Sequence, residues 1–274
     1  MPNAKNRNVR KSPKSSLQNK NRKNSKLGVR PTRSEHWIYG HHTVLAALNN
    51  PHRSVLRVLI TAQAQAKLSC QIETPLLELV TTKEIEQLTG ANAVHQGIAA
   101  EVIPLAKRSL VDIITPTEDK EHTLLVILDQ VTDPRNIGAI LRSAAAFNAV
   151  ALIQQERNSP SANPSMAKAA SGGLEHVDLI DVPNINRTIE RLKNQGFWII
   201  GLDSNASDFL NETELPKKCC LVLGAENSGL RRLTLKACDK TVRIPISSDI
   251  DSLNISNAAA VAMYEFSRQR MKGR

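Results

Sequence analysis

The sequence predicts an α/β protein: a parallel β-sheet with helices on both faces, preceded by a smaller α/β unit. Three observations carry this expectation. Over residues 124–270, β-rich apolar runs alternate with amphipathic segments, as a parallel sheet built from crossover units requires. One of those runs, residues 124–129 (LLVILD), is continuously apolar, which fits a strand buried on both faces. Over 36–105 a shorter alternation of helix and strand patterns makes a small α/β sandwich of its own. The expected layout is therefore a tail at 1–35, a small domain at 36–105, a linker at 106–121 and the larger domain at 122–274.

Ordered sequence begins at His36-Trp37-Ile38-Tyr39-Gly40. Val44, Leu45 and Leu48 share one helical face, predicting a short helix from His41 that Asn49-Asn50-Pro51 ends. Residues 55–61 (VLRVLIT) alternate and read as a strand. A helix over 62–70, a short strand over 77–80 and a helix over 82–88, with Thr82 at its cap, follow. Residues 97–105 (GIAAEVIPL) close the unit. The threonines, Pro116 and Glu118-Asp119-Lys120 of 106–121 predict a linker with one helical turn. Beyond the strand at 124–129, further strands are expected at 150–153, 197–203, 219–224 and 242–246. Helices are expected at 136–147, 185–194, 230–236 and 254–270.

Composition narrows the class of protein. With 274 residues, 41% of them hydrophobic and 23% charged, the chain is long enough for two domains and can bury a real core. No apolar run approaches the ~18 residues of a membrane span, and no apolar stretch follows the first positive charges as in a secretory signal. Cys70, Cys219, Cys220 and Cys238 form no CxxC pair and no metal-binding spacing; they read as reduced cysteines of a cytoplasmic protein without a metal.

The net charge of +10 is concentrated: residues 1–34 hold eleven of the 36 Lys/Arg and no acid, leaving 25 basic against 26 acidic residues elsewhere. This Asn-, Ser- and Lys-rich tail lacks the apolar residues to offset its ordering entropy, which predicts disorder. A polybasic tail on a near-neutral body suits a polyanion, above all nucleic acid. A solubilising extension without a partner is the plainer reading, and a mitochondrial presequence lacks its apolar helical face here.

Ligands of parallel α/β sheets gather at the carboxyl ends of the strands, and three loops there stand out. The first, Asp129-Gln130-Val131-Thr132-Asp133-Pro134-Arg135-Asn136-Ile137-Gly138, leads into a helix carrying Arg142. A capped helix accounts for Asp133 and Pro134, but not for Asn136 and Arg142 beside a buried strand. The second, Leu223-Gly224-Ala225-Glu226-Asn227-Ser228-Gly229, sets an acid between two glycines at a strand end. Neither GxGxxG nor GxxxxGK[ST] is present at such a junction, so dinucleotide and nucleoside-triphosphate cradles are excluded. The third runs from Ile244-Pro245-Ile246 to Ser252-Leu253-Asn254-Ile255-Ser256, where Ser and Asn would serve as ordinary helix caps.

In this order, LDQVTDPRNIGAILRSA, LVLGAENSGLRRLTLKACDKTVRIPI and SLNISNAAAVAMYEFSRQR resemble the three motifs of the SpoU/TrmH family of RNA ribose 2′-O-methyltransferases. The upstream IYGHHTVLAAL and AVHQGIAAEV resemble the small RNA-binding domain of one branch, whose substrate is a guanosine of 23S-type large-subunit ribosomal RNA. Asn257, where a small or aliphatic residue is usual, and the basic tail depart from the family's pattern.

The resemblance implies a SPOUT fold with a carboxyl-terminal trefoil knot, S-adenosylmethionine as methyl donor, no metal, and a homodimer. It places the cofactor against the backbone around Gly224, Ile244 and Leu253. Arg142 becomes the catalytic arginine, with Asn136, Glu226 and Asn254 as the other polar site residues. A guanidinium is effectively always protonated, so Arg142 is expected to stabilise charge rather than act as a base. A transfer RNA substrate, or a non-catalytic RNA-binding protein on the same fold, are the competing readings.

Overall fold

The computed structural model describes residues 36–68, 76–117, 120–226 and 228–271. The basic tail and Cys70 lie outside these residues.

Seven elements build the first sheet: β1 (Trp37–Tyr39), α1 (His41–Asn49), β2 (Val55–Ile60), α2 (Ala62–Leu68), β3 (Leu77–Leu79), α3 (Thr82–Thr89) and β4 (Ile98–Val102). The strand order is β1-β4-β2-β3, with β4 antiparallel to both neighbours. Side chains alternate across it: Val58, Ile60, Ile98 and Ala100 pack under α1 and α2, while Leu59 and Ala99 meet Ile85 of α3. The cap of α3 corrects the sequence reading by one residue. Thr81, not Thr82, accepts from the Glu84 amide, and Glu84 returns the bond to the Thr81 amide, a reciprocal capping box. Strand β1 was not foreseen, since three residues are too few to display a period.

Segment 106–121, expected as a linker, contains α4 (Leu110–Ile114) and a 3₁₀ turn at Thr115–Thr117. Leu110, Ile113 and Ile114 are buried against the second sheet, so this stretch is also part of a core.

That sheet is formed by β5 (Thr123–Asp129), α5 (Pro134–Ala146), β6 (Ala151–Gln155), α6 (Pro164–Ala170), β7 (Asp178–Val182), α7 (Ile185–Asn194), β8 (Trp198–Leu202), β9 (Asp208–Phe209), β10 (Lys218–Gly224), α8 (Arg232–Ala237), β11 (Lys240–Arg243) and α9 (Ile255–Met271). Its order is β7-β6-β5-β10-β8-β11-β9, and every neighbouring pair is parallel. The central strands are buried on both faces, as the LLVILD run predicts. Leu124, Val126 and Leu128 meet α5 and α9 on one side; Leu125 and Ile127 meet α4 and α7 on the other. Cys219 and Cys220 point to opposite faces, free and buried, and burial pushes the Cys219 thiol up to about 12.

The strand expected at 242–246 is observed as β11, Lys240–Arg243. Pro245 has no N–H to give to a ladder, and the chain leaves the sheet before it. Helix α6 and strand β7 were not foreseen.

All described residues belong to one compact unit. Between the two sheets, Arg53 makes a forked ion pair with Glu175 whose side chains are only 7% and 3% exposed, and Asn50 donates to the same carboxylate at 2.7 Å. The Thr43 hydroxyl donates to the Ala167 carbonyl at 3.3 Å. No helix among the described residues is long and apolar enough to cross a membrane.

Candidate functional site

The last residues of β5 and β10, Asp129 and Gly224, are register partners at the carboxyl ends of adjacent strands. From β5 the chain moves outward to β6 and β7, then crosses to β8 on the other side, so the strand order reverses between β5 and β10. That is the crevice where open α/β sheets bind ligands.

Three loops meet there. Asp133 caps α5 by accepting from the Arg135 amide at 2.8 Å, with Pro134 at the first helical position, as expected. This places Asn136 in the first turn. Asn254 precedes α9 and accepts at 2.9 Å from the Ser256 amide, so it is indeed a helix cap. Its amide nitrogen is left free for a second task. Glu226 Oε1 accepts from Asn254 Nδ2 at 2.6 Å, from Asn136 Nδ2 at 3.0 Å and from the Ile255 amide at 3.4 Å. Asn254 Nδ2 also reaches Asn136 Oδ1 at 3.2 Å. One carboxylate thus ties together residues 90 and 28 positions away in sequence, at the positive end of the α9 dipole.

Arg142 lies six residues beyond Asn136 on the same helix. It is exposed, and its guanidinium makes no hydrogen bond or ion pair with any described residue. The structure therefore joins Asn136, Glu226 and Asn254 directly, while the Arg142 guanidinium, on the same helix as Asn136, takes no part in that network.

Two glycines of these loops admit neighbouring backbone. A Cβ on Gly224 would lie 2.0 Å from the Gly229 carbonyl carbon, so this glycine makes room for the chain's own returning loop. At Gly138 a Cβ would lie 2.5 Å from the Met166 carbonyl oxygen: here glycine lets α5 and α6 touch. Asp129 was not singled out by sequence. It is fully buried and holds Arg231, accepting from Nε at 2.6 Å and from the Arg231 amide at 3.1 Å, which anchors the far end of the Glu226 loop. Its only sequence signal was a carboxylate ending an apolar strand.

Ile244 and Leu253 are half-buried on the third loop, and Ile246 is 39% exposed. The peptide groups of Ile244, Ile246 and Leu253 have no main-chain partner among the described residues. Free peptide edges between apolar side chains are a fit for a purine and its ribose. No cluster of three or more metal-ligating side chains occurs among the described residues. A cleft of about 670 Å³ lies elsewhere, between the sheets around Arg53, Glu175 and Asp178, away from these loops.

A parallel sheet whose carboxyl-end loops are locked together at its reversal point defines a ligand-binding protein of the open α/β class. Residues 123–264 match the model of the SpoU rRNA Methylase family, and 37–107 match that of RNA 2′-O ribose methyltransferase substrate binding. The chain is 38% identical to an uncharacterized tRNA/rRNA methyltransferase of Synechocystis sp., over 85% of this chain and 62% of that longer one. It is 35% identical to the 23S rRNA (guanosine-2′-O-)-methyltransferase RlmB of Vibrio vulnificus, over 87% of this chain and 98% of that one. Among solved structures it is similar to the SpoU methyltransferase AviRb of Streptomyces viridochromogenes in complex with AdoMet, with a TM-score of 0.70 and 25% identity over 87% of this chain and 91% of that one. The chain belongs to the SpoU rRNA methylase family, whose members are S-adenosylmethionine-dependent RNA methyltransferases.

Proposed function

We propose that the chain methylates a ribose 2′-hydroxyl of RNA, on a guanosine of large-subunit ribosomal RNA, as a cytoplasmic homodimer. The observation that carries this reading is the Asn136–Glu226–Asn254 lock, which joins the three motif loops at the ligand crevice. The substrate assignment is supported by the RlmB relatives matched over nearly their whole length and by the substrate-binding family match at 37–107.

The loops around Gly224, Ile244 and Leu253 would hold S-adenosylmethionine through their peptide groups. When bound, that cofactor supplies a methyl group on a positively charged sulfur, so the leaving group is already activated. The chain's own residues must align the ribose oxygen and stabilise it as it loses its proton. Arg142, uncommitted and permanently charged, is the residue for that task, through a hydrogen bond to the developing alkoxide or to the neighbouring phosphate. Glu226 ties Asn136 and Asn254 to each other, which holds the three loops together around the crevice.

Val261 and Tyr264 on α9 are 40% and 49% exposed, an apolar face beside the site that a second copy would cover. The return of the chain from β11 through 244–254 to α9, packed on α5 and β10, supports the trefoil knot. The test is methyl transfer from labelled S-adenosylmethionine to total RNA, with the modified nucleotide then mapped. Label in the ribose of a ribosomal guanosine is expected; label in transfer RNA, or none, overturns the assignment.

A further inference from the structure

We propose that Lys168 is an RNA-contacting residue, its ammonium holding a backbone phosphate of the substrate at the seam between the small sheet and α6. This rests on the RNA reading above and deepens it.

The two upstream segments, IYGHH and AVHQG, take no part in the lock described above. In the structure they converge on Lys168. Its Nζ donates to Gln96 Oε1 at 2.7 Å. Gln96 also accepts from the His41 amide at 3.3 Å, and its carbonyl lies 3.0 Å from His41 Nε2. Gly40, at φ +93°, leaves the space: a Cβ there would fall 2.2 Å from the Lys168 nitrogen. Gln96 itself sits at φ +59°, a conformation that non-glycine residues hold where the surroundings impose it, commonly at functional sites.

What the ammonium lacks is a carboxylate. Elsewhere along the same seam Arg53, Lys107 and Arg108 each have an acidic partner, at 2.6, 3.0 and 2.8 Å. Lys168 forms no ion pair among the described residues, and one hydrogen bond leaves two of its three donors open. Burial lowers its pKa, a cost that an anion would offset. A second cation without an ion pair stands nearby: the charge of Arg135, at the start of α5, acts on Tyr39, the neighbour of Gly40. Cations without a carboxylate partner suit the phosphodiester backbone, whose contacts fix the register of a bound strand without reading its sequence. The place is also connected to the chemistry. Helix α6 touches α5 at Gly138, between Asn136 and Arg142, so a strand held by Lys168 enters the crevice from the small-sheet side.

The test uses the full chain and its Lys168→Met, Lys168→Arg and Gln96→Ala variants. Binding of a fluorescently labelled single-stranded RNA 20-mer is followed against salt, alongside KM for ribosomal RNA, affinity for S-adenosylmethionine and melting temperature. Lys168→Met should reduce the slope of log affinity against log salt by about 0.7, the share of one phosphate contact. It should also raise KM at least fivefold, with kcat, cofactor affinity and melting temperature nearly unchanged. Lys168→Arg and Gln96→Ala should keep the slope, since both keep a cation in place. An unchanged slope in Lys168→Met overturns the proposal while leaving the methyltransferase reading intact. A Gln96→Ala defect equal to that of Lys168→Met, with a lowered melting temperature in both, makes Lys168 a structural fastener and overturns it too. A wild-type chain that does not bind the RNA at all overturns both readings.

Discussion

Replacing Glu226 separates its holding role from any other. Its Oε1 accepts two bonds of ordinary length, at 2.6 and 3.0 Å, and a longer third from the Ile255 amide at 3.4 Å. Bonds to a charged acceptor contribute up to ~3 kcal/mol each, but this one is exposed, which reduces the figure to roughly 1 kcal/mol per bond. The carboxylate at the amino end of α9 adds about 0.5 kcal/mol through the helix dipole. Glu226→Ala should therefore destabilise by about 2–3 kcal/mol, lowering the melting temperature by roughly 5–10 °C for a protein of this size. Glu226→Gln keeps one acceptor oxygen and should lose about half as much. The activity loss should be larger than the stability loss implies, ~10²-fold or more in Ala, because Asn136 and Asn254 lose their common anchor. Thermal denaturation and initial rates of labelled-methyl transfer, measured well below the melting transition, read both quantities. An alanine variant that melts within 1 °C of wild type and turns over normally would refute the lock.

Arg142→Ala should lower kcat by about 10²-fold while leaving affinity for S-adenosylmethionine nearly unchanged, with Arg142→Lys rescuing little, because an ammonium lacks the planar fork. Initial rates with calorimetry check this, and near-normal turnover would remove Arg142 from the reaction. Gly224→Val should fail more broadly. Its side chain meets the Gly229 backbone, so lowered melting temperature and more than tenfold weaker cofactor binding should appear together. Intact stability with weakened binding would instead place the ligand itself against Gly224. Deleting residues 1–34, with their eleven cations, should flatten the salt dependence of RNA affinity and leave the modified nucleotide unchanged. Nucleotide mapping and titrations at several salt concentrations decide it, and a changed target would give the tail a role in specificity.

The elements most legible in sequence are those whose signal is local. Helix α7 runs over the expected Ile185–Asn194 because its apolar residues Ile185, Ile189 and Leu192 keep one face over about two turns. Strand β5 is visible because burial on both faces leaves no polar position between Thr123 and Asp129. Where the deciding fact is a distant partner, the sequence is silent. Strand β7 carries polar residues at two of its five positions, Asp178 and Asp181, whose partners Arg108 and Lys107 lie 70 and 74 residues away. Helix α6 has only seven residues, about two turns, and its burial comes from α5 and the small sheet.

The site follows the same rule. Each of its three loops was recognisable from its residues, but the meeting of Asn136, Glu226 and Asn254 is a tertiary fact. Asn254 is also a helix cap, as its plainer reading held; capping uses its oxygen and the lock uses its nitrogen. The reason for Gly224 could not be read from spacing, since the atom it makes room for is Gly229 of its own loop. The role of Asp129 depends on Arg231, 102 residues on, and nothing local in the sequence links the two.

The central claim is tested most directly by the nucleosides of large-subunit ribosomal RNA, digested and measured by mass spectrometry. RNA from cells lacking this chain would be compared with RNA from cells restored with the wild-type chain or with Arg142→Ala. The account predicts one 2′-O-methylguanosine that is lost without the chain, returned by the wild type and not returned by Arg142→Ala. An unchanged nucleoside profile in the cells lacking the chain, or full restoration by the alanine variant, would contradict it.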